Sequence, residues 1–298
     1  MTGVRLANRN GRAVVLVDGG TVDVERASGG RLPADPSAAL RAWDALAEWA
    51  RGRRAGDADA ALDERALGPP VPRPAKVFAI GLNYREHARE AHLELPKQPM
   101  VFTKFPSCLV GPRADVVLSS AYCDWEVELV VVVGRGGRRI PEARALEHVA
   151  GYMVGQDVSD RRLQFSDQPA QFSLGKSIDT FGPTGPAVVS LDAVRDPNDL
   201  ALSCDVGRER MQDARTSDMI FPVPALVAYL SAHCTLEPGD LVFTGTPAGV
   251  GSTRTPRRYL CAGEVVTSTI EGLGTMVNRC VEAPREQADP RCIAARPS

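Results

Sequence analysis

From Lys76 to Glu282 the chain is broken again and again by glycine and proline. Between the breaks lie short runs rich in β-branched residues: Val77–Ile80, Met100–Phe102, Leu129–Val133, Ala187–Val189, Leu241–Phe243 and Val265–Ile270. Runs this short, closed by turn formers, match strands and leave no room for the regular helices of βαβ repeats. They predict an α+β, mainly β domain over residues 71–282. Upstream the texture differs. Val4–Val24 carries β-like runs around the turn Asp18-Gly19-Gly20, and Leu40, Trp43, Leu46 and Trp49 then recur at helical spacing. The stiff connector Gly68-Pro69-Pro70-Val71-Pro72-Arg73-Pro74 marks off a small N-terminal domain, residues 1–70. The polar stretch 283–298 is expected to be a poorly ordered tail.

Composition removes several classes of function. The 298 residues carry a net charge of −2 with scattered, acid-balanced Arg pairs, so no nucleic-acid surface is expected. No apolar run approaches the roughly 18 residues that cross a bilayer, and Ala13–Val17 is too short for a signal-peptide core, so neither a membrane nor a secretory role is expected. Cysteines at 108, 123, 204, 234, 261, 280 and 292 never fall at C-x-x-C spacing. They suggest reduced thiols in a cytoplasmic protein, with neither a disulfide framework nor a zinc site. Two nucleotide-like motifs fail: Gly134-Arg135-Gly136-Gly137 lacks the third glycine and runs toward Pro141, reading as a hairpin turn. Gly175-Lys176-Ser177 has Ala170 where a P-loop needs glycine.

The most informative segment is Asp124-Trp125-Glu126-Val127-Glu128-Leu129-Val130-Val131-Val132-Val133. On a strand, Glu126 and Glu128 share a face roughly 6.6 Å apart. Two adjacent carboxylates beside an apolar strand repel each other and resist desolvation, and a divalent cation such as Mg²⁺, Mn²⁺ or Ca²⁺ relieves both penalties. An edge strand with its acids in water is the competing reading. Asp157 follows the strand-like Gly151–Gln156 and precedes a short helix in which Arg161 and Gln164 share a face. It is either a third acid at a cleft or a helix cap paired with Arg161, and Arg161 is suited to clamp a carboxylate. Lys176, in a chain with lysine only at 76, 97, 104 and 176, sits among turn formers as a compact charge for a developing enolate. The glycine-rich loop after Leu241–Phe243, with Thr246, either holds an anionic ligand or is an ordinary tight connection.

Taken together, these segments resemble the fumarylacetoacetate hydrolase superfamily. The matching motifs are Phe78–His87, D-x-E-x-E-L at 124–129, G-Y-x3-D at 151–157, G-K-S-x-D at 175–179 and T-G-T-P-A-G-V-G at 244–251. The resemblance implies a mixed β-sandwich or β-roll catalytic domain and a homodimer. It implies Glu126, Glu128 and Asp157 as ligands of Mg²⁺ or Mn²⁺, with Lys176 at the oxo and enolate oxygens of a 2-oxo acid. It assigns Arg161, Gln164 and Thr246 to the substrate's carboxylate and oxygens, and His87 with Glu90 to water activation. Bottom-up, the spacing of His87 and Glu90 puts both on one helical face, where the acid could orient the imidazole or where both simply face water.

The implied activity is metal-dependent hydrolysis of a C–C bond in a β-diketo, acylpyruvate-type acid through a metal-stabilised enolate. The alternatives are decarboxylation, or hydration or isomerisation, of an unsaturated 2-oxo dicarboxylate; a non-enzymatic ligand-binding member is a third. Side-chain contacts to substrate are expected from Leu93–Gln98, Phe165–Phe172 and Arg254–Tyr259. Two departures from the family pattern bear on the pocket: Gly207-Arg208 replaces an Asn-Gly pair, and Gln156 replaces a frequent Asn.

Overall fold

A computed structural model describes residues 3–194, 196 and 198–283. Apart from Ala283, the expected tail lies outside the described residues, as does Cys292. The chain opens with the meander β1 (Arg5–Arg9), β2 (Arg12–Val17) and β3 (Gly20–Asp23), then helices α1 (Pro36–Arg41) and α2 (Trp43–Ala50). Next come β4 (Val77–Gly81), α3 (Arg85–Glu90), β5 (Met100–Thr103), β6 (Val116–Leu118), β7 (Val127–Val133) and β8 (Val149–Gln156). The one-turn helices α4 (Arg161–Gln164) and α5 (Phe172–Gly175) lead to β9 (Gly182–Ser190), β10 (Ala201–Val206) and β11 (Glu209–Arg215). Helix α6 (Val223–His233) precedes β12 (Leu241–Phe243), β13 (Val265–Ile270) and β14 (Gly274–Glu282).

The main sheet runs β3-β2-β1-β9-β8-β7-β12-β4-β5, and a second sheet runs β11-β10-β13-β14-β6. Both are mixed, because β12 pairs with β4, and β14 with β6, in parallel. Strands β10, β13 and β14 pack on β7, β8 and β9. Trp125, Leu129, Met153, Leu202 and Val266 belong to one buried apolar cluster spanning the two sheets. This is the α+β, mainly β sandwich expected from the short runs between turn formers. The residue 70/71 boundary does not divide the sheet: β1 pairs with β9, aligning Arg5 with Val189.

Three local expectations are corrected. Strand β7 is not an edge strand. It lies between β8 and β12 with every residue buried, which explains its unbroken apolar run. The helical stretch around Trp43 is two helices that meet at Ala42. The glycine-rich stretch after β7 does open a hairpin to antiparallel β8, but not as a single turn, because a 3₁₀ segment, Glu142–His148, lengthens the connection.

Gly151 has a structural task in its motif. A Cβ there would lie 2.2 Å from the Val189 carbonyl oxygen, so only glycine lets β8 approach β9 so closely. Gly151→Ala is expected to cost about 1–3 kcal/mol through overpacking, read as a lower midpoint in denaturant unfolding with an unchanged slope.

Candidate active site

The pairing of β7 with β8 assembles the acids. Val127 aligns with Gln156 and Glu128 with Gly155, and the Asp157 N–H donates to the Glu126 carbonyl at 2.9 Å. Glu126 and Glu128 therefore flank the start of β7 where Asp157 leaves β8. One oxygen from each carboxylate lies within 4.8 Å of the others, and all three side chains are buried. Asp157 is not the helix cap; Asp160 takes that role, accepting from the Leu163 N–H at 3.1 Å.

Buried cations surround the acids. The Lys176 ammonium donates to Glu126 Oε2 at 2.7 Å, Asp157 Oδ2 at 2.8 Å and Ser159 Oγ at 2.7 Å, which uses all three of its donors. Arg161 donates to Asp124 at 2.9 Å, Glu126 at 2.6 Å and Gln164 at 2.9 Å. Its expected partner Asp157 instead pairs with Lys104 at 2.7 Å. Lys104 is fully buried and also donates to the backbone carbonyls of Lys176 and Phe181.

Four buried carboxylates thus face three buried cations. Among the described residues Glu128 is the acid of this group with no ion pair; it accepts the Gly245 N–H at 2.8 Å. Burial, Asp157 and Glu126 together push its carboxyl well above the usual range. Burial also penalises the charge on Glu126, but Lys176 and Arg161 outweigh it and hold that carboxyl below its ordinary value. Burial works against the Lys104 ammonium, and the attraction of Asp157 more than restores it. An all-oxygen, buried donor set with a surplus negative group fits a hard divalent cation such as Mg²⁺, Mn²⁺ or Ca²⁺. Burial pushes the Cys204 and Cys280 thiols up, Cys280 to about 12.

Helix α3 is docked by Asn83, which donates to the carbonyls of Thr244 at 2.7 Å and Phe221 at 3.1 Å and accepts the Phe221 N–H at 2.8 Å. On that helix, His87 Nδ1 and Glu90 Oε1 are 2.6 Å apart, and Glu90 also accepts the Gly249 N–H at 2.9 Å. Gly249 has φ +106°, and a Cβ there would lie 2.1 Å from the Met211 carbonyl oxygen. The glycine-rich loop can follow this path only with glycine at that position. A cavity of about 250 Å³ opens beside these groups, and His87, Glu126, Arg161, Gln164, Lys176 and Thr246 all line it. Glu90, Glu128 and Asp157 are not among its lining residues.

Sequence reasoning missed three positioning residues. Asp124 holds Arg161 and accepts the N–H groups of Gly251 at 2.7 Å and Ser252 at 3.0 Å, tying the glycine-rich loop to the acids. Its place at the head of the acidic run was an available signal, as the scarcity of lysine was for Lys104. Gln212 had no signal. It accepts the Val127 N–H at 2.9 Å and donates to Thr246 Oγ1 at 2.8 Å and the Pro247 carbonyl at 2.9 Å. The Thr246 hydroxyl donates to the Val127 carbonyl at 2.9 Å. Gln156, the other departure, donates to Ser268 at 3.0 Å and accepts the Glu126 N–H at 2.9 Å. Gly207-Arg208 forms the turn between β10 and β11, with Gly207 at φ +62°, and does not line the cavity. Nor does Arg254–Tyr259; the neighbouring Ser252 and Thr253 do.

Two variants test this electrostatic arrangement. An acid whose folded pKa is raised loses stability as pH climbs from its unfolded value toward the folded one. In chelator at about pH 8, Glu128→Gln is therefore expected to melt above wild type, whereas Mn²⁺ raises the Tm of wild type alone. Lys104→Met leaves Asp157 Oδ1 without its cation and is expected to cost about 3–5 kcal/mol in denaturant unfolding.

Residues 76–281 match the family described as fumarylacetoacetate (FAA) hydrolase C-terminal. The bovine protein named oxaloacetate tautomerase FAHD2B, mitochondrial, is 45% identical over 214 residues, covering 71% of this chain and 68% of its own length. A crystal structure of a Mycobacterium smegmatis protein is 48% identical with a TM-score of 0.89, covering 94% of this chain and all of its own. Maleylpyruvate hydrolase from Sphingobium sp. SYK-6, solved with manganese (II) and pyruvate, is 29% identical with a TM-score of 0.79 and covers 94% and 100%. The mitochondrial names of the bovine and human relatives overturn the cytoplasmic location expected from cysteine usage. Reduced thiols report a reducing environment, and that does not single out one compartment. The chain belongs to the fumarylacetoacetate hydrolase family.

Proposed function

We propose that this chain is a divalent-metal-dependent enzyme that cleaves the C–C bond of an acylpyruvate-type β-diketo acid by hydrolysis. The observation that carries this reading is the His87–Glu90 pair, 2.6 Å apart, with His87 on the wall of the cavity that Glu126 and Lys176 also line. Glu126, Glu128 and Asp157 would hold Mg²⁺ or Mn²⁺, a reading supported by the manganese and pyruvate named in the Sphingobium structure. Such an ion supplies Lewis-acid polarisation of the oxo and carboxylate oxygens of a 2-oxo acid.

The chain's own residues do the rest. Glu90 orients the imidazole through Nδ1, leaving Nε2 to take a proton from water. The hydroxide adds to the distal carbonyl, the bond from that carbon to the methylene breaks, and the electron pair passes to the enolate of pyruvate. Collapse of the adduct leaves the carboxylic acid, and the proton taken by His87 passes to C3 of the enolate to give pyruvate. Lys176 stabilises the enolate oxygen once a substrate oxygen replaces one of its present acceptors. Arg161 and Gln164 are joined at 2.9 Å, so they orient as a unit toward the substrate carboxylate, and Thr246 contributes a hydroxyl beside them. The homodimer implied by the family resemblance is part of this proposal and is checked by sedimentation equilibrium.

A second reading, keto–enol tautomerisation of a 2-oxo acid without cleavage, is favoured by the names of the bovine and human relatives. It uses the same residues, with His87 moving a proton at C3 and no water attacking. Product analysis on acylpyruvates with Mn²⁺ separates the two. Hydrolysis releases pyruvate and a carboxylic acid in equal amounts, whereas tautomerisation changes the enol absorbance and leaves the carbon chain intact. His87→Ala is expected to lower kcat about 10²- to 10⁴-fold. A variant that cleaves as fast as wild type overturns the role of His87.

A further inference from the structure

We infer that the outer half of the cavity is a subsite for an apolar alkyl or aryl group, so that the preferred substrate is a 2-oxo acid with one carboxylate and an uncharged tail. This rests on the reading of Glu126, Glu128 and Asp157 as the site that binds the oxo-acid head. The cavity is chemically two-ended. At its inner end lie Arg161 and Lys176, the only permanently cationic side chains among the described residues that line it, and both are committed to buried carboxylates.

The outer end is built from Leu93, Met100, Phe102, Phe165 and Phe172. Its aromatic rings form a continuous wall: Phe102 meets Phe172 edge-on at 5.6 Å between centroids, and Phe172 meets Phe165 at 6.1 Å. The wall is joined to the reacting end, because the Lys176 ammonium lies 5.4 Å from the Phe102 ring centroid. Leu93 and Phe165 are 57% and 54% exposed, large apolar surface that a tail would cover. The segment between Phe165 and Phe172 adds Asp167 and no base.

A second carboxylate at this end would lose its hydration against carbon, with no permanently cationic side chain besides Arg161 and Lys176 among the described lining residues to meet it. The oxaloacetate named for the bovine relative carries such a group, so the wall separates this chain's preference from that substrate. Size also agrees. An apolar cavity of about 150 Å³ takes up benzene, so about 250 Å³ has room for an aryl or short alkyl group beside the oxo-acid head.

The test is calorimetric binding of unreactive oxamates to the Mn²⁺-loaded full chain. Oxalate and N-methyl oxamate report on the head, N-propyl, N-butyl and N-phenyl oxamate on an apolar tail, and N-oxalylglycine on a charged one. The N-butyl compound is expected to bind at least tenfold tighter than N-methyl, given about fourfold per buried methylene. N-oxalylglycine is expected to bind at least tenfold weaker than N-propyl oxamate, and Phe172→Lys to narrow or reverse that ratio. Equal or tighter binding of N-oxalylglycine by wild type, with oxalate still bound, overturns the apolar subsite and leaves the head-group reading intact. Failure of every compound, oxalate included, overturns the head-group reading and this inference with it.

Discussion

The structure is organised around a buried charge cluster at the junction of β7 and β8. Asp124, Glu126, Glu128 and Asp157 lie in the interior with Lys104, Arg161 and Lys176. Removing seven ionisable side chains from water costs far more than any one pair returns, so they hold together only as a mutually satisfied set. Each cation here binds at least two partners, and Lys176 and Arg161 share Glu126. Such sharing explains why the carboxylates are so closely spaced and why one of them, Glu128, is left facing two like charges. A site of this kind gives up stability for the capacity to take a hard cation.

The remainder of the fold holds this cluster in place. The two sheets meet over β7 and β8, which fixes the backbone beneath the acids. The glycine-rich loop is fastened three times: by Asp124 through Gly251 and Ser252, by Glu128 through Gly245, and by Glu90 through Gly249. The last of these contacts links the helix bearing His87 to the wall above the acids. His87 and the buried charge cluster are thereby held beside one cavity by backbone N–H donors instead of long, mobile side chains.

Much of the site could be read from the chain because its signals are local. Alternation on a strand puts Glu126 with Glu128, and three-residue spacing puts His87 with Glu90, whatever the remainder of the fold does. Asp157 was legible as an acid next to a strand end, although its partner was not: Arg161 is close in sequence, but Lys104 and Lys176 are close in space. The break at Ala42 escaped because a helical period continues across a kink that conserves the exposed face. The compartment escaped because thiol chemistry reports redox conditions and carries no address.

Short strands between turn formers, an acidic pair on one strand face and the order of the motifs were enough to define a mainly β fold, the family and the acid triad. Each motif depends on neighbours within a few residues, and the family resemblance joined Asp157 to the glutamate pair. Tertiary structure alone decided that β7 is central, that Lys104 and Gln212 serve the site from 53 and 85 residues away from their partners, and that the cavity is cationic at one end and aromatic at the other. These depend on long-range pairing, where strands distant in sequence become neighbours and burial sets the strength of every charge. No periodicity in the chain records that.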